Sequence, residues 1–489
     1  MAYNAAMKNP HPRKHILLSL IAILICLNAL SAIAAPTNVL FILVDDMGWT
    51  GPACYGSDLH ETPNIDGLAA QGMRFTNAYA ASPICSPTRA SILSGKHPAR
   101  LNMTTWHEAA VERQSHKGDK PLAPPLTEPH LGLQYLTLAE LFKGAGYTTA
   151  HIGKWHLGDS EHYPEAQGFD INIGGTHWGA PRSFFYPYAA WRDKGNGEME
   201  YRYVPGLGFG KEGDYLTDRL TDEALNVLDQ VHDQPFFLHM AYHNPHTPIE
   251  GKPELVEYYK QKIKEGMTHN NATYAAMIHS LDENIGRLLA KLEEHHIADN
   301  TLVVFFSDNG GFDQVREGEV VTTQVPLRSG KGSLYEGGIR VPLIIKWPGI
   351  TTANTTSDTP VISTDFYPTF MELLQTKSTQ KIDALDGINL KPLLENSDIT
   401  LDREDLFFHY PHYYFNTTPV TAIRSGDWKL IEYTQDNKVE LYNLKDDLAE
   451  SNNLAQTQGD RVKALQQKLH AWHKGVNAQF AVPNDEYKP

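Results

Sequence analysis

The sequence predicts an α/β protein: a layered domain with a mostly parallel central sheet, followed by a smaller α+β domain with a short antiparallel sheet. Three observations predict it. Several apolar runs are continuous, as in strands buried on both faces, and two of them end in acidic or amide residues. Amphipathic helical periods lie between those runs, which is the alternation of an α/β layer. Beyond Gly387 the texture changes to short strands separated by turn residues, the pattern of an antiparallel meander.

In chain order, residues 1–34 read as a signal peptide. Lys8, Arg13 and Lys14 form a basic start, 16–30 is apolar apart from Ser19 and Asn28, and Ala32-Ile33-Ala34 suits a signal peptidase. The chain is therefore expected to be exported, periplasmic or secreted, with no stable membrane insertion after cleavage. Asn38–Val44 is the first buried strand and ends in Asp45-Asp46; 235–242, 301–306 and 341–347 repeat the pattern. Thr137 and Glu140 form a capping box opening a helix. Leu220, Ala224, Val227, Leu228 and Val231 mark a second helix, and Met277, Ile278, Leu281, Ile285, Leu288 and Leu292 a third. A polar stretch at 351–359 is expected to interrupt the domain and a helix at 364–374 to close it, giving a catalytic domain over 36–380. The smaller domain, 381–489, carries strands at 421–424, 428–433 and 439–441 and a helix over 460–474.

The composition excludes several classes. The chain has 489 residues, 42 Lys and Arg against 58 Asp and Glu, a net charge of -16 and three Cys. The mixed composition is not that of a disordered chain, and three Cys cannot staple one this long. An acidic balance argues against general nucleic-acid binding, whose affinity comes from basic residues on phosphates. Four N-glycosylation sequons begin at Asn102, Asn271, Asn354 and Asn416.

Two strands ending in Asp45-Asp46 and Asp308-Asn309 would bring three carboxylates and an amide to one sheet edge. That is a hard, all-oxygen site suited to Ca²⁺ or Mg²⁺, although either pair alone reads as ordinary strand-end polarity. Cys85-Ser86-Pro87-Thr88-Arg89 places Cys85 near a helix start, because proline fits the first turn. On its own Cys85 is either a thiolate nucleophile or a buried apolar residue.

Cys85–Arg89 with Ser94-Gly95-Lys96 resembles the maturation signature of the sulfatases, in the alkaline phosphatase superfamily. The resemblance extends through Asp45-Asp46, Gly153-Lys154-Trp155-His156-Leu157-Gly158, Pro245-His246-Thr247-Pro248, Ser307-Asp308-Asn309-Gly310 and Gly330-Lys331-Gly332. It implies an alkaline-phosphatase-like fold and hydrolysis of sulfate esters. It also implies that a maturation enzyme oxidises Cys85 to formylglycine, whose hydrate attacks sulfur with one hydroxyl and expels sulfate through the other. Asp45, Asp46, Asp308 and Asn309, with converted Cys85, match the ligands of one Ca²⁺ per chain, Mg²⁺ being the lesser alternative. By the same match Asp308 takes the nucleophile's proton, Arg89 stabilises the hydrate and Lys154 binds sulfate. His156 assists collapse of the intermediate, and His246 and Lys331 face the leaving oxygen.

Specificity is expected from loops outside the sulfate pocket, with His107, His177, Trp178 and Arg182 as candidate contacts to a sulfated saccharide. The pattern looks more like that of carbohydrate sulfatases, with sulfated galactose or N-acetylgalactosamine as the first substrates to test. A phosphate or phosphonate ester hydrolase of the same superfamily is the alternative, as is a non-catalytic sulfated-glycan-binding protein. The former is disfavoured by Asn309 following Asp308 and by the absence of Thr or Ser at position 85.

Overall fold

Each continuous apolar run becomes a strand of one eight-stranded sheet. In chain order the strands are β1 (Asn38–Val44), β2 (Met73–Phe75), β3 (Thr148–Gly153), β4 (Ile171–Ile173), β5 (Phe236–Ala241), β6 (Thr301–Ser307), β7 (Leu343–Lys346) and β8 (Thr355–Ser357). The computed structural model describes residues 1–2, 36–112, 119–194, 197–316, 318–375 and 385–488. The apolar run and cleavage site of the expected signal peptide, and the expected domain boundary at 380–381, lie outside the described residues. Asn38–Pro489 form one compact unit. Among the described residues no helix is long and apolar enough to cross a membrane.

The spatial order is β8-β2-β7-β6-β1-β5-β3-β4. β6, β1, β5, β3 and β4 run parallel, whereas β7 is antiparallel to both β6 and β2. The polar stretch 351–359 does more than interrupt the domain, because Thr355–Ser357 pairs with β2 as an edge strand. An edge strand needs only one partner and tolerates a solvated face, and its threonines are β-branched.

Seven helices build the layers and position the site: α1 (Pro63–Gln71), α2 (Cys85–Ser94), α3 (Leu138–Gly144), α4 (Leu216–Val231), α5 (Ala272–Glu294), α6 (Phe366–Leu373) and α7 (Gly459–Val476). Thr137 and Glu140 close the capping box at the start of α3. The side-chain period of two divides β1 between two cores. Val39, Phe41 and Leu43 pack with α2, α3 and α6; Leu40, Ile42 and Val44 pack with α1, α4 and α5. Each such side chain contributes about 1.5–3 kcal/mol of burial. The strand ends therefore stand between two rigid helical layers.

The C-terminal meander is a four-stranded antiparallel sheet: β9 (Asp405–Tyr410), β10 (Val420–Ser425), β11 (Trp428–Tyr433) and β12 (Val439–Asn443). One face, with Ala422, Ile431 and Tyr442, packs on Tyr79, Ile84 and Leu334; the other, with Ile423, Leu430 and Leu441, packs on α7. Two sequons carry structure of their own. The Asn271 side chain caps α5, and the Asn416 amide donates to Ser329 Oγ at 3.0 Å and to the Lys331 carbonyl at 3.1 Å.

A buried ionic cluster joins the meander to the segment after β6. Lys429 Nζ lies 2.8 Å from both Glu336 Oε1 and Glu450 Oε1, all three side chains at 0% exposure. Glu336 also has Tyr79 and Arg340, so its charge is compensated more fully than that of Glu450. Burial, with Glu336 beside it, pushes the Glu450 carboxyl up to about 7. A carboxyl raised on folding favours the folded state below its unfolded pKa, here about 4.5, and loses that contribution as pH rises through about 7. Glu450→Gln should therefore raise the melting temperature at pH 8 and change it little at pH 5. Thermal unfolding at the two pH values checks this; equal shifts at both would count against it.

Candidate active site

The carboxyl ends of four parallel strands converge, as ligand sites in such sheets do. β1 delivers Asp45 and Asp46, β6 delivers Asp308 and Asn309, β3 delivers Lys154 and His156, and the turn after β5 delivers His246. Gly153 makes this approach possible, because a Cβ there would stand 2.0 Å from the Ala241 carbonyl oxygen, and its φ is 103°. Asp46 and His156 hold φ of 63° and 62°, left-handed values that cost a non-glycine residue about 1–2 kcal/mol. Asp46 is kept there by its own N–H donating to Asp308 Oδ1 at 3.2 Å, and by Tyr274 Oη donating to its carbonyl at 3.2 Å.

Cys85 opens α2 and Pro87 occupies the first turn, as its missing N–H allows. Arg89 stands one turn later on the same face. Every residue of α2 is buried, so its polar side chains face protein on all sides. Ser86 Oγ donates to the His156 carbonyl at 2.8 Å, fixing the helix start to the end of β3.

Three carboxylates and three cations interlock here. Lys154 Nζ lies 2.7 Å from Asp45 Oδ2, and Lys331 Nζ lies 2.6 and 2.8 Å from the two Asp46 oxygens. Arg89 donates from Nε to Asp308 Oδ2 and from Nη1 to the Lys154 carbonyl, both at 2.8 Å. Lys331 also reaches Cys85 Sγ at 3.3 Å. Burial raises the Asp45 carboxyl; Lys154 opposes this, and Asp308 and Asp46 add to it. Burial acts on Asp46 in the same sense, but Lys331, His246 and Lys154 outweigh it and hold that carboxyl low. Burial would lower Lys331, but Asp46, Cys85, Tyr414 and Asp45 together outweigh it and hold the lysine well above its ordinary value. Burial pushes the Cys85 thiol up to about 12 against the pull of the two lysines, so the unmodified side chain is a neutral thiol.

The donor set fits a hard cation. Ligand atoms of Asp45, Asp46, Cys85 and His246 lie within 4.8 Å of one another. Asp45 Oδ1 and Asn309 Oδ1 are buried and accept no hydrogen bond from any described residue, a costly condition that a divalent ion would relieve. Asn309 Nδ2 is turned the other way, donating to Asp46 Oδ1 at 2.7 Å. His246 Nδ1 pairs with the Thr247 carbonyl at 2.7 Å, which leaves Nε2, 3.5 Å from Asp46 Oδ2, as the nitrogen facing the site.

His156 rests on a partner that the sequence does not announce. Its Nε2 lies 2.6 Å from Glu108 Oε2, and Glu108 in turn accepts from the Gly179 N–H at 2.9 Å and faces Arg202 at 3.5 Å. Gly179 must be glycine, because a Cβ would come within 2.4 Å of the His156 ring. Burial nonetheless holds His156 down to about 3 against the pull of Glu108, so its ring is neutral and donates to that carboxylate. Glu108 and Arg202 carry no spacing signal; only the fold brings Glu108 to His156 and Arg202 to Glu108.

A cavity of about 1240 Å³ opens onto Cys85, His156, His246 and Lys331. Of the four residues expected to contact a saccharide, Arg182 is among its described lining residues and is exposed. His107, His177 and Trp178 are not among them and form a cluster of their own. His107 Nδ1 pairs with the Pro129 carbonyl at 2.6 Å, His177 Nδ1 with Tyr163 Oη at 2.8 Å, and Trp178 packs against His177 and Arg202. The neighbouring Trp106, with Tyr413, Tyr414 and Phe415, lines the cavity instead.

The profile of the sulfatase family matches residues 37–376. The chain belongs to the sulfatase family. A second profile, the C-terminal part of N-sulphoglucosamine sulphohydrolase, matches residues 330–479. This sulfatase is 33% identical to a sulfatase of Formosa agariphila, over 91% of its own length and 90% of the relative's. It is 32% identical to human N-acetylgalactosamine-6-sulfatase, covering 86% and 76% of the two chains. The solved structure of Ps i-CgsB in complex with k-i-k-neocarrahexaose superposes with a TM-score of 0.72 at 29% identity, covering 89% and 92%. The sulfatase is thus a sulfuric ester hydrolase with the mixed α/β fold of its family. Membership implies a metal ion and a formylglycine-type nucleophile, for which the buried set around Asp45, Asp46, Cys85 and His246 is the candidate site.

Proposed function

We propose that this sulfatase is exported and hydrolyses sulfate esters of a sulfated carbohydrate, with Cys85 converted to formylglycine by a maturation enzyme and one Ca²⁺ per chain. The observation that carries the reading is Cys85 Sγ, at the start of a fully buried helix and 3.3 Å from Lys331 Nζ, in a site where two buried oxygens, Asp45 Oδ1 and Asn309 Oδ1, accept no hydrogen bond from any described residue. Asp45, Asp46, Asp308 and Asn309, with the side chain at 85, would hold the cation. When bound, Ca²⁺ polarises a sulfate oxygen and favours the deprotonated nucleophile.

The residues of the chain divide the remaining work. Arg89, Lys154 and Lys331 already balance the charges of Asp45, Asp46 and Asp308. A divalent ion therefore leaves the pocket with surplus positive charge, which suits an anionic sulfate ester and the charge that develops as its S–O bond breaks. Lys154 and Lys331 approach from opposite carboxylates and bracket the sulfuryl group. Asp308, held by Arg89, is the acceptor for the nucleophile's proton. His156, oriented by Glu108 and Gly179, presents Nδ1 without a competing partner among the described residues. His246 Nε2 and Lys331 Nζ face the leaving oxygen.

Two relatives guide the choice of sugar: one is named N-acetylgalactosamine-6-sulfatase and the other was solved in complex with k-i-k-neocarrahexaose. Sulfated N-acetylgalactosamine and galactose are therefore the first substrates. The test is sulfate and phosphate release from sulfated galactose, N-acetylgalactosamine, glucosamine and fucose derivatives with matched phosphate esters. Protein is co-expressed with a formylglycine-generating enzyme, and EDTA-treated protein with and without added Ca²⁺ is run alongside. Sulfate release restored by Ca²⁺ is the expected result. Release of phosphate alone would sink the assignment.

A further inference from the structure

The cavity holds far more than one sulfate group, and its outer wall is built differently from its floor. Trp106, Tyr414, Phe415 and Phe312 form a continuous aromatic ladder, with ring centroids 5.7, 5.0 and 6.3 Å apart at successive steps. The inner end is tied to the sulfate pocket, since Tyr414 packs over Gly332, next to Lys331. Asn416 anchors the same loop through Ser329 Oγ and the Lys331 carbonyl. The outer end is wet: Phe415 is 67% exposed beside the cavity. A large exposed aromatic ring on a loop fixed by its neighbours is a stacking platform for the apolar face of a sugar.

Arg316 caps that platform. Its guanidinium lies 4.6 Å from the Phe312 ring centroid and 5.7 Å from that of Phe415, so it is held in place by ring faces. Among the described residues it has no acidic partner, and its Nη1 donates to the Val315 carbonyl at 3.0 Å. Arg192, Arg202 and Lys260 also line the cavity, each paired with a glutamate, and Lys120 is paired with Asp119; Arg182 lines it without an acidic partner among the described residues, but no aromatic ring holds it as two hold Arg316. Arg316, opposite Glu319 in its hairpin but in no ion pair among the described residues, is thus a cation positioned by ring faces, on a protein whose net charge is -16. A planar guanidinium beside a sugar-stacking ring suits a sulfate or carboxylate carried on the stacked residue.

Resting on the reading of the pocket as a carbohydrate-sulfatase site, we infer that Arg316 and Phe415 form a second subsite. It takes a neighbouring sugar bearing its own anionic group, so the substrate is a polyanionic oligosaccharide and not an isolated monosaccharide. Phe415 stacks on the second ring, and Arg316 binds its sulfate or carboxylate while the ester to be cleaved lies at Cys85.

The test measures binding apart from turnover. In a Cys85→Ala background, calorimetric titration compares a chondroitin 6-sulfate tetrasaccharide and a sulfated galactan tetrasaccharide with N-acetylgalactosamine 6-sulfate and galactose 6-sulfate. At least one tetrasaccharide should bind roughly tenfold or more tighter than the matching monosaccharide. Arg316→Gln and Phe415→Ala should each remove most of that advantage, leaving monosaccharide affinity within about twofold. Both residues stand at the surface, and unchanged melting temperatures confirm folding. No advantage for either tetrasaccharide, or an advantage untouched by both substitutions, overturns the subsite. With Cys85 restored and matured, the substitutions should lower kcat/KM on the oligosaccharide and spare that on the monosaccharide. If the restored protein releases no sulfate while the binding difference stands, the chemistry assigned to the pocket fails and the subsite does not.

Discussion

Replacing Cys85 by alanine is expected to lower sulfate release by about a thousandfold or more, with little change in melting temperature. The residue is small and 3% exposed, and Arg89, Lys154 and Lys331 remain to balance the carboxylates. Cys85→Ser is the more telling variant. A serine carries one hydroxyl where an aldehyde hydrate carries two, so it can accept a sulfuryl group but has no second hydroxyl with which to expel it. Mixing that variant with substrate should release at most one equivalent of alcohol per chain and leave a stable sulfated serine in the mass spectrum of the 85-containing peptide. Repeated turnover by the serine variant, or full activity from protein whose peptide still carries a thiol, would refute a formylglycine nucleophile.

Arg89→Ala should be the most destabilising single change in the site. The guanidinium is 2% exposed and joins three strand ends: Asp308 at 2.8 Å, the Lys154 carbonyl at 2.8 Å and Asp45 at 3.9 Å. Removing it leaves Asp308 buried without its cation, which costs about 3–5 kcal/mol. A drop of roughly 5 °C or more in melting temperature is expected for a chain of this length, together with loss of activity. Arg89→Lys keeps the charge but cannot span the three acceptors, so it should recover only part of the stability. A melting temperature within a degree of the parent for Arg89→Ala would show that the carboxylates are relieved in another way.

Much of the sheet is readable from local pattern. A run such as Asn38–Val44 has no polar face to offer water, so it has to lie inside a layered sheet. Thr355–Ser357 escapes such reading because an edge strand is allowed to be polar. β7 matches the apolar pattern, yet its antiparallel direction depends on where the chain returns after Gly330-Lys331-Gly332. In the site, Cys85 and Arg89 stand one helical turn apart, and the strand-end carboxylates sit at predictable heights. Glu108 reaches His156 from 48 positions away, and Phe415 meets Phe312 from a loop that no periodicity connects to it.

The local chemistry of the chain thus settled which side chains would stand at the carboxyl edge of the sheet, because apolar runs and helix starts act over a few residues. Tertiary packing alone decided how those side chains are charged and paired. Arg89 finds Asp308 across 219 positions and Lys331 finds Asp46 across 285, and only in a buried, low-dielectric setting do such pairings outweigh hydration. The same packing holds Asp46 and His156 in left-handed backbone that neither residue favours, at a cost met by the hydrogen bonds and ion pairs gathered around them.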